Sequence, residues 1–371
     1  MTIRVKFPWI VSFISLVSFS FSTAVPSIAA ETTQPQQNAE ILTIEKAIKL
    51  VNAADSEVTL ASLDAENDDV NARIVKSQLR NIGADSIDSL EFAEQKYVTE
   101  AQSAMDARIS KLYKESVEAD LRGKAILSYY DLLQAYSERE SKKRRYNRVD
   151  ELVQMAKENA TSSKNTTVSN VDVMQAEAIA SIAKVEWFEA QSTWGETKIK
   201  QNEILGVDAQ KEWLFPTEDE VTTEDPPISF EDAIASLQTD SFATAQTKGD
   251  MEIAQLRVAL INKYSAVSTF YGKIATNNLE KLKVELEHSK KADVYAVYTL
   301  YQKYRDGYQL LQTCKHAVKL ASENYDQRIS RFKQGTASIG DVLQSEQELA
   351  KLEDHYVAAR NDFNHIRANF Q

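Results

Sequence analysis

The sequence predicts an all-α protein built from long antiparallel coiled-coil helices in two tandem repeats. Three observations carry this expectation. Proline is absent between Pro35 and Pro216 and again after Pro227, and the 371 residues include only nine glycines. The unbroken blocks are rich in Ala, Glu, Gln, Lys and Leu, which lose least on entering a helix. In the last segment Val342, Leu349, Tyr356, Phe363 and Phe370 recur every seven residues, with Ser345, Leu352, Ala359 and Ile366 between them. That spacing is the a/d pattern of a left-handed coiled coil.

Residues 1–30 are set apart from the fold. MTIRVKFPW carries two bases, IVSFISLVSFSFS is a short apolar run, and PSIAA offers small residues for cleavage near Ala29 or Ala30. This pattern reads as a secretory signal peptide, so the protein is expected in the cell envelope. No cysteine stands immediately after that site, which argues against a lipid anchor, and the single Cys314 excludes an intrachain disulfide. Its apolar neighbours suggest packing rather than reactivity. No later stretch reaches 18 apolar residues, so no membrane-spanning helix is expected.

Residues 31–212 read as a first helical repeat, 213–227 as an acidic proline-containing linker, and 228–371 as a second repeat. LTIEKAI (42–48) returns as ISFEDAI (228–234), and VSNVDVMQ at 168 returns as ASIGDVLQ at 337. Trp187 and Trp194 lie over Tyr356 and Phe363. Each half should run short helix, medium helix, very long helix, turn, medium helix. The first half places its helices near 57–80, 88–160 and 170–204, the second near 243–265, 278–333 and 338–370. At 1.5 Å per residue the long helices reach roughly 85–110 Å, so two medium helices stacked end to end would match one long one. The counterpart of the last helix shows Val173, Ala180, Trp187 and Trp194 at heptad spacing, and a further row, Ile182, Val185 and Phe188, suggests contacts on a second side.

Composition also excludes chemistry. A net charge of −12 repels phosphate backbones, which argues against nucleic acid. His288, His316, His355 and His365 are scattered, and His355 and His365 share a face without a carboxylate to complete a site. No metal spacing, phosphate loop or nucleophile elbow is present, so no catalytic residue, metal ligand or cofactor is expected. SERESKKRRYNR (137–148) reads as a solvated helix face, with a docking patch for an acidic partner as the alternative. Tyr298, Tyr301, Tyr304 and Tyr308 are helix-spaced and read as core or seam.

The stretch RFKQGTASIGDVLQSEQ (331–347) interrupts the helices with Gly335 and Gly340. The long helix should end near Lys333, with Gly335 in the left-handed conformation that closes a helix. Ser338 should cap the next helix, and Asp341 completes a Ser-x-x-Asp capping pattern. Thr336 and Ala337 then stand at the summit of the turn. The first half repeats the cap with Ser169 and Asp172, but Thr166 stands where glycine is expected.

The twofold repeat, the LTIEKAI and ISFEDAI starts and the G-x-x-S-x-x-D-V-L-Q-x-E pattern together resemble the TolC family of outer-membrane efflux and secretion proteins. The resemblance covers nearly the whole chain after the signal. It implies a homotrimer forming a periplasmic α-helical barrel, whose turns meet a periplasmic adaptor protein bound to an inner-membrane transporter. It implies that Ser169, Gly335, Thr336, Ala337 and Ser338 belong to adaptor-docking turns. Asp341, with its counterpart Asp172, matches a constriction acid that closes the tip. Gln344 stands in the place of a second acid, so the acidic ring expected here is weaker. The alternative, that Asp172 and Asp341 only cap helices, stays open.

One departure bears on function. The family carries two membrane strands per half between the medium and the long helix, each needing about 9–11 residues. This chain offers only LRNIGADSIDSLEF (79–92) and AVSTFYGKIAT (266–276), the latter suited to one strand at most. Crossing of the outer membrane by this chain alone is therefore not expected. Two readings follow: a conduit component of an efflux or secretion system, or a barrel-less periplasmic relative that binds partners without forming a channel. An adaptor of the membrane-fusion type would need β-rich segments that the sequence does not show.

Overall fold

The computed structural model describes residues 40–83, 87–161, 168–216 and 225–370. The expected signal segment, Thr166 and most of the linker lie outside them. The helices are α1 (Ile44–Ala54), α2 (Glu57–Leu79), α3 (Leu90–Ala93), α4 (Thr99–Thr161) and α5 (Asn170–Ile204), followed by α6 (Phe230–Asp240), α7 (Phe242–Tyr264), α8 (Phe270–Lys333) and α9 (Ile339–Ala368). A π-helical turn, Glu94–Val98, joins α3 to α4. Two short strands, β1 (Glu40–Ile41) and β2 (Trp213–Leu214), pair in parallel. They are the only strands among the described residues.

Medium helices α2 and α7 have 23 residues each, and α4 and α8 have 63 and 64. The last two are each about 95 Å long at 1.5 Å per residue. The helices lie side by side in columns. One face of α4 takes α2 and α5, its other face takes α7 and α9, and α8 packs on α7 and α9. Contacts along α4 show the stacking directly. Asp68 of α2 bonds Ser110, while Gln201 and Glu177 of α5 meet Ser128 and Lys157. The end-to-end arrangement expected from helix lengths is thus realised in the first half.

The heptad seam is buried as its period requires. Val342, Leu349 and Phe363 are within 3% of full burial. Phe363 meets Tyr304 edge-on at 5.0 Å and Tyr308 at 6.1 Å. Gly307 makes room for that ring, since a Cβ there would come within 3.1 Å of Phe363. The tyrosine row divides: Tyr304 is buried, Tyr301 and Tyr308 pack against the same core, and Tyr298 is 58% exposed beside Phe230.

Two expectations are corrected. The long helix of the second half begins at Phe270, not near 278, and AVSTFYGKIAT contains no strand. Thr269 explains both, because its hydroxyl accepts from Gly272 N–H at 3.0 Å and caps a helix where apolar alternation suggests a strand. The first-half end is closed by Gly206, at φ 65°, with Val207 N–H donating to Asn202 O. Leu349→Asp should lose its packing and bury an unpartnered carboxyl, costing about 3 kcal/mol or more. Circular dichroism melts would show the drop, and an unchanged melting temperature would mean that the seam is not buried.

Candidate docking turns and the ionic seam behind them

The turn between α8 and α9 is set by backbone chemistry. Gly335 has φ 72°, its N–H donates to Phe332 O, and Thr336 N–H donates to Arg331 O, both at 2.9 Å. These two bonds form a Schellman closure, which needs a residue free to adopt positive φ. Ser338 then opens α9 with a complete capping box. Asp341 N–H donates to Ser338 Oγ at 3.2 Å, and Ser338 N–H donates back to Asp341 Oδ2 at 3.0 Å. The first half repeats the box at 3.3 and 2.8 Å between Ser169 and Asp172. Between them Gly335, Thr336 and Ser338 are exposed. Ala337 is half-buried, which corrects its reading as a summit residue.

The capped starts of α5 and α9 lie at one end of the columns, because Val168, Phe332, Ile339, Val342 and Leu343 share one core with Val153 and Ala156 of α4. Asp172 and Asp341 are held below the usual carboxylate range. For Asp341 the Ser338 hydroxyl contributes most, then the Ser338 N–H; for Asp172 the order is reversed. Arg328 stands 4.0 Å from Asp341. Gln344 is exposed and donates to Glu348 at 3.2 Å. The capping role is therefore present, and the carboxylates are ionised at neutral pH.

Behind the turns lies a feature that the sequence reading missed. Arg148 of α4 reaches Glu353 at 2.7 Å and Glu346 at 3.2 Å on α9. Arg145 pairs with Glu186 of α5 and stands 3.7 Å from Glu346. Lys142 joins Glu186 at 3.6 Å to Asp354 at 2.6 Å. The run SERESKKRRYNR is therefore an interior clamp on its 142, 145, 148 face, and only residues such as Lys143 and Arg144 are solvated. The available signal was the spacing: bases three apart on α4, and Glu346 and Glu353 seven apart beside the a/d seam. Glu346 is fully buried, and burial pushes its carboxyl up against the downward pull of Arg148 and Arg145. In Arg148, burial is more than offset by Glu353 and Glu346, so its cation is held firmly.

Among the described residues no group of three or more His, Cys, Asp or Glu could hold a metal ion. His365 Nε2 lies 3.2 Å from Asp131 Oδ1, a carboxylate that spacing alone could not supply, and Cys314 is half-buried. No described helix is long and apolar enough to cross a membrane.

No family model and no curated protein matches the chain. Solved structures do. The Campylobacter jejuni CmeC outer membrane channel aligns with 95% of this chain and 93% of its own, at 13% identity and TM-score 0.61. The outer membrane protein VceC from Vibrio cholerae covers 88% and 94%, at 12% and 0.61. The outer-membrane channel OprN covers 88% of each, at 10% and 0.64. This is the TolC-type fold. At such low identity the likeness fixes the architecture of the TolC-type protomer alone.

The seam has a testable asymmetry. Arg148→Met leaves the fully buried Glu346 without its nearest cation and should cost about 3–5 kcal/mol, whereas Glu346→Gln leaves Arg148 paired with Glu353, removes a carboxylate whose burial is itself unfavourable, and should cost less. The folded state binds the Glu346 proton more tightly than the unfolded chain, so on this group alone stability falls as pH rises through the raised value. Thermal melts across pH 4–8 should therefore show Glu346→Gln losing part of the wild-type decline toward neutral pH. Identical slopes would contradict the buried-carboxyl account.

Proposed function

We propose that this protein is a non-enzymatic, TolC-like component of an envelope-spanning efflux or secretion system. It contributes to a periplasmic helical conduit as a homotrimer and docks an adaptor, itself bound to an inner-membrane transporter, through its turns. The observation that carries the reading is a pair of open edges. At one edge α5 leaves Val171, Met174, Ile182, Val185 and Phe188 exposed by 55% or more, continued by Leu60, Leu63, Val70 and Ile74 of α2. At the other, α8 exposes Val284, Tyr295, Tyr298, Leu310 and Leu320. Apolar stripes of this length on helices of a soluble array signal missing neighbours. The two edges differ, so copies would join head to tail and close a ring by rotation. Similarity to solved outer-membrane channels supports the same assembly, with Asp341, Asp172 and Gln344 at its narrow end.

A second reading is favoured by a specific observation. The connections 80–89 and 265–269 stand where two spanning strands per half would be required, and each is too short to hold them. On this reading the protein is a barrel-less periplasmic relative that reaches the outer membrane only by association.

Mass photometry of the exported chain separates the two: a trimer supports the conduit, and a stable monomer supports the barrel-less binder. Phe188→Asp, on an exposed face, should reduce the trimer to monomer with helix content intact. Docking is tested at the turn. Gly335→Val strains a left-handed residue by about 1–2 kcal/mol and adds bulk, so it should abolish adaptor crosslinking in a protein that still folds. Thr336→Arg should do so without any change in melting temperature. Full crosslinking and efflux by folded Thr336→Arg would leave only a turn that reverses the chain.

A further inference from the structure

The end of the columns opposite the docking turns has a different chemistry. There α7 passes into α8 through residues 265–269, all exposed. Gly272 makes this reversal tight, since a Cβ would fall 2.5 Å from Val267 Cα. The turn presents an apolar group: Phe270 is 88% exposed, Ile274 58%, Tyr271 47% and Val267 37%. Phe270, Tyr271 and Ile274 fall on one side of the first turns of α8, at i, i+1 and i+4. Tyr271 is steadied by its hydroxyl, which donates to Glu94 at 2.8 Å.

Charge sets this turn apart from the rest of the molecule. The chain holds 55 Asp and Glu, yet none stands between Glu252 and Glu280. The same interval carries Arg257, Lys263 and Lys273. Lys263 and Lys273 are exposed, and Arg257 lies 3.7 Å from Glu94, the carboxylate nearest the patch. The exposed acids Asp88 and Glu91 belong to the other connection, ahead of α4.

We propose that the turn Val267–Ile274 is a peripheral docking surface for an anionic phospholipid membrane. Aromatic and aliphatic side chains enter the headgroup boundary while Lys263 and Lys273 stay at headgroup level. Rings with a polar tip beside lysines suit that boundary, and the absence of Asp and Glu from 253 to 279 leaves Glu94, tied to Tyr271 and Arg257, as the acid at the patch. A second copy, by contrast, would find no reason for an acid-free interval. Such a patch gives weak attachment per copy, which several copies held together would strengthen. It does not insert a spanning segment, and it stands whether or not the protein closes a ring.

The test uses the full exported chain and vesicles of phosphatidylethanolamine and phosphatidylglycerol, with pure phosphatidylcholine vesicles for comparison. The protein should float with the anionic vesicles at low salt, dissociate in high salt or carbonate, and float poorly with phosphatidylcholine. Phe270→Asp adds an acid at a helix start, where it suits the fold, and should weaken partitioning at least about tenfold. Lys273→Glu should weaken it about fivefold, on anionic vesicles only. Absence of flotation, or flotation unchanged in Phe270→Asp, overturns the proposal. So does a Phe270→Asp chain that floats normally but changes its oligomeric mass, which would assign the patch to contacts between copies.

Discussion

A helix in a side-by-side array must bury every apolar stripe it carries, and that constraint orders this structure. Inner columns meet it within the chain. Helix α4 has α2 and α5 on one flank and α7 and α9 on the other, and its buried residues are spread along its whole length. The outer columns do not meet it. Helices α2, α5 and α8 each bury one side and leave large apolar residues on the other. The exposed rows are regular, which sets them apart from the singly scattered hydrophobics of ordinary surfaces.

The inner contact between halves differs from the contacts within them in burying a carboxylate. Inside the first half, α4 and α5 join by apolar packing with ion pairs such as Arg145–Glu186 and Lys157–Glu177 beside it. Between halves, α4 and α9 add a row of bases against a row of acids, with one glutamate fully buried. Buried ion pairs contribute little net stability but penalise misplacement heavily, because a shifted register strands a charge. The seam therefore fixes the height of α9 against α4, and with it the level of the two capped turns.

How much of this was legible in the sequence depends on the range of the interaction. Helix existence, the heptad face of α9 and both capping boxes follow from residues three to seven apart, and they were readable. The start of α8 was misread because Thr269 and Gly272 impose a cap on a segment whose apolar alternation suits a strand. The roles of Arg148 and Glu346 were hidden because their partners lie some two hundred residues away, and that of Arg145 because Glu186 stands 41 residues on, in the next helix. A basic run looks the same whether solvated or clamped until its partners are placed. Ala337 was misjudged by a smaller margin, since the depth of a methyl group in a turn depends on backbone detail.

The long sequence separation of the seam carries a consequence for how the chain acquires its structure. Arg148 and Glu353 are 205 residues apart, whereas the two helices of each hairpin are separated by eight residues or fewer. Loop-closure entropy favours the nearby contacts first, so each half forms its hairpin before the halves register on one another. During that interval Arg148 has neither of its acids, while Lys142 and Arg145 share only Glu186 of α5. Those charges hold the α4 face hydrated and resist wrong apolar pairing until α9 arrives with its acids. The clamp thus acts as a latch on assembly order, engaging only when both hairpins are already complete.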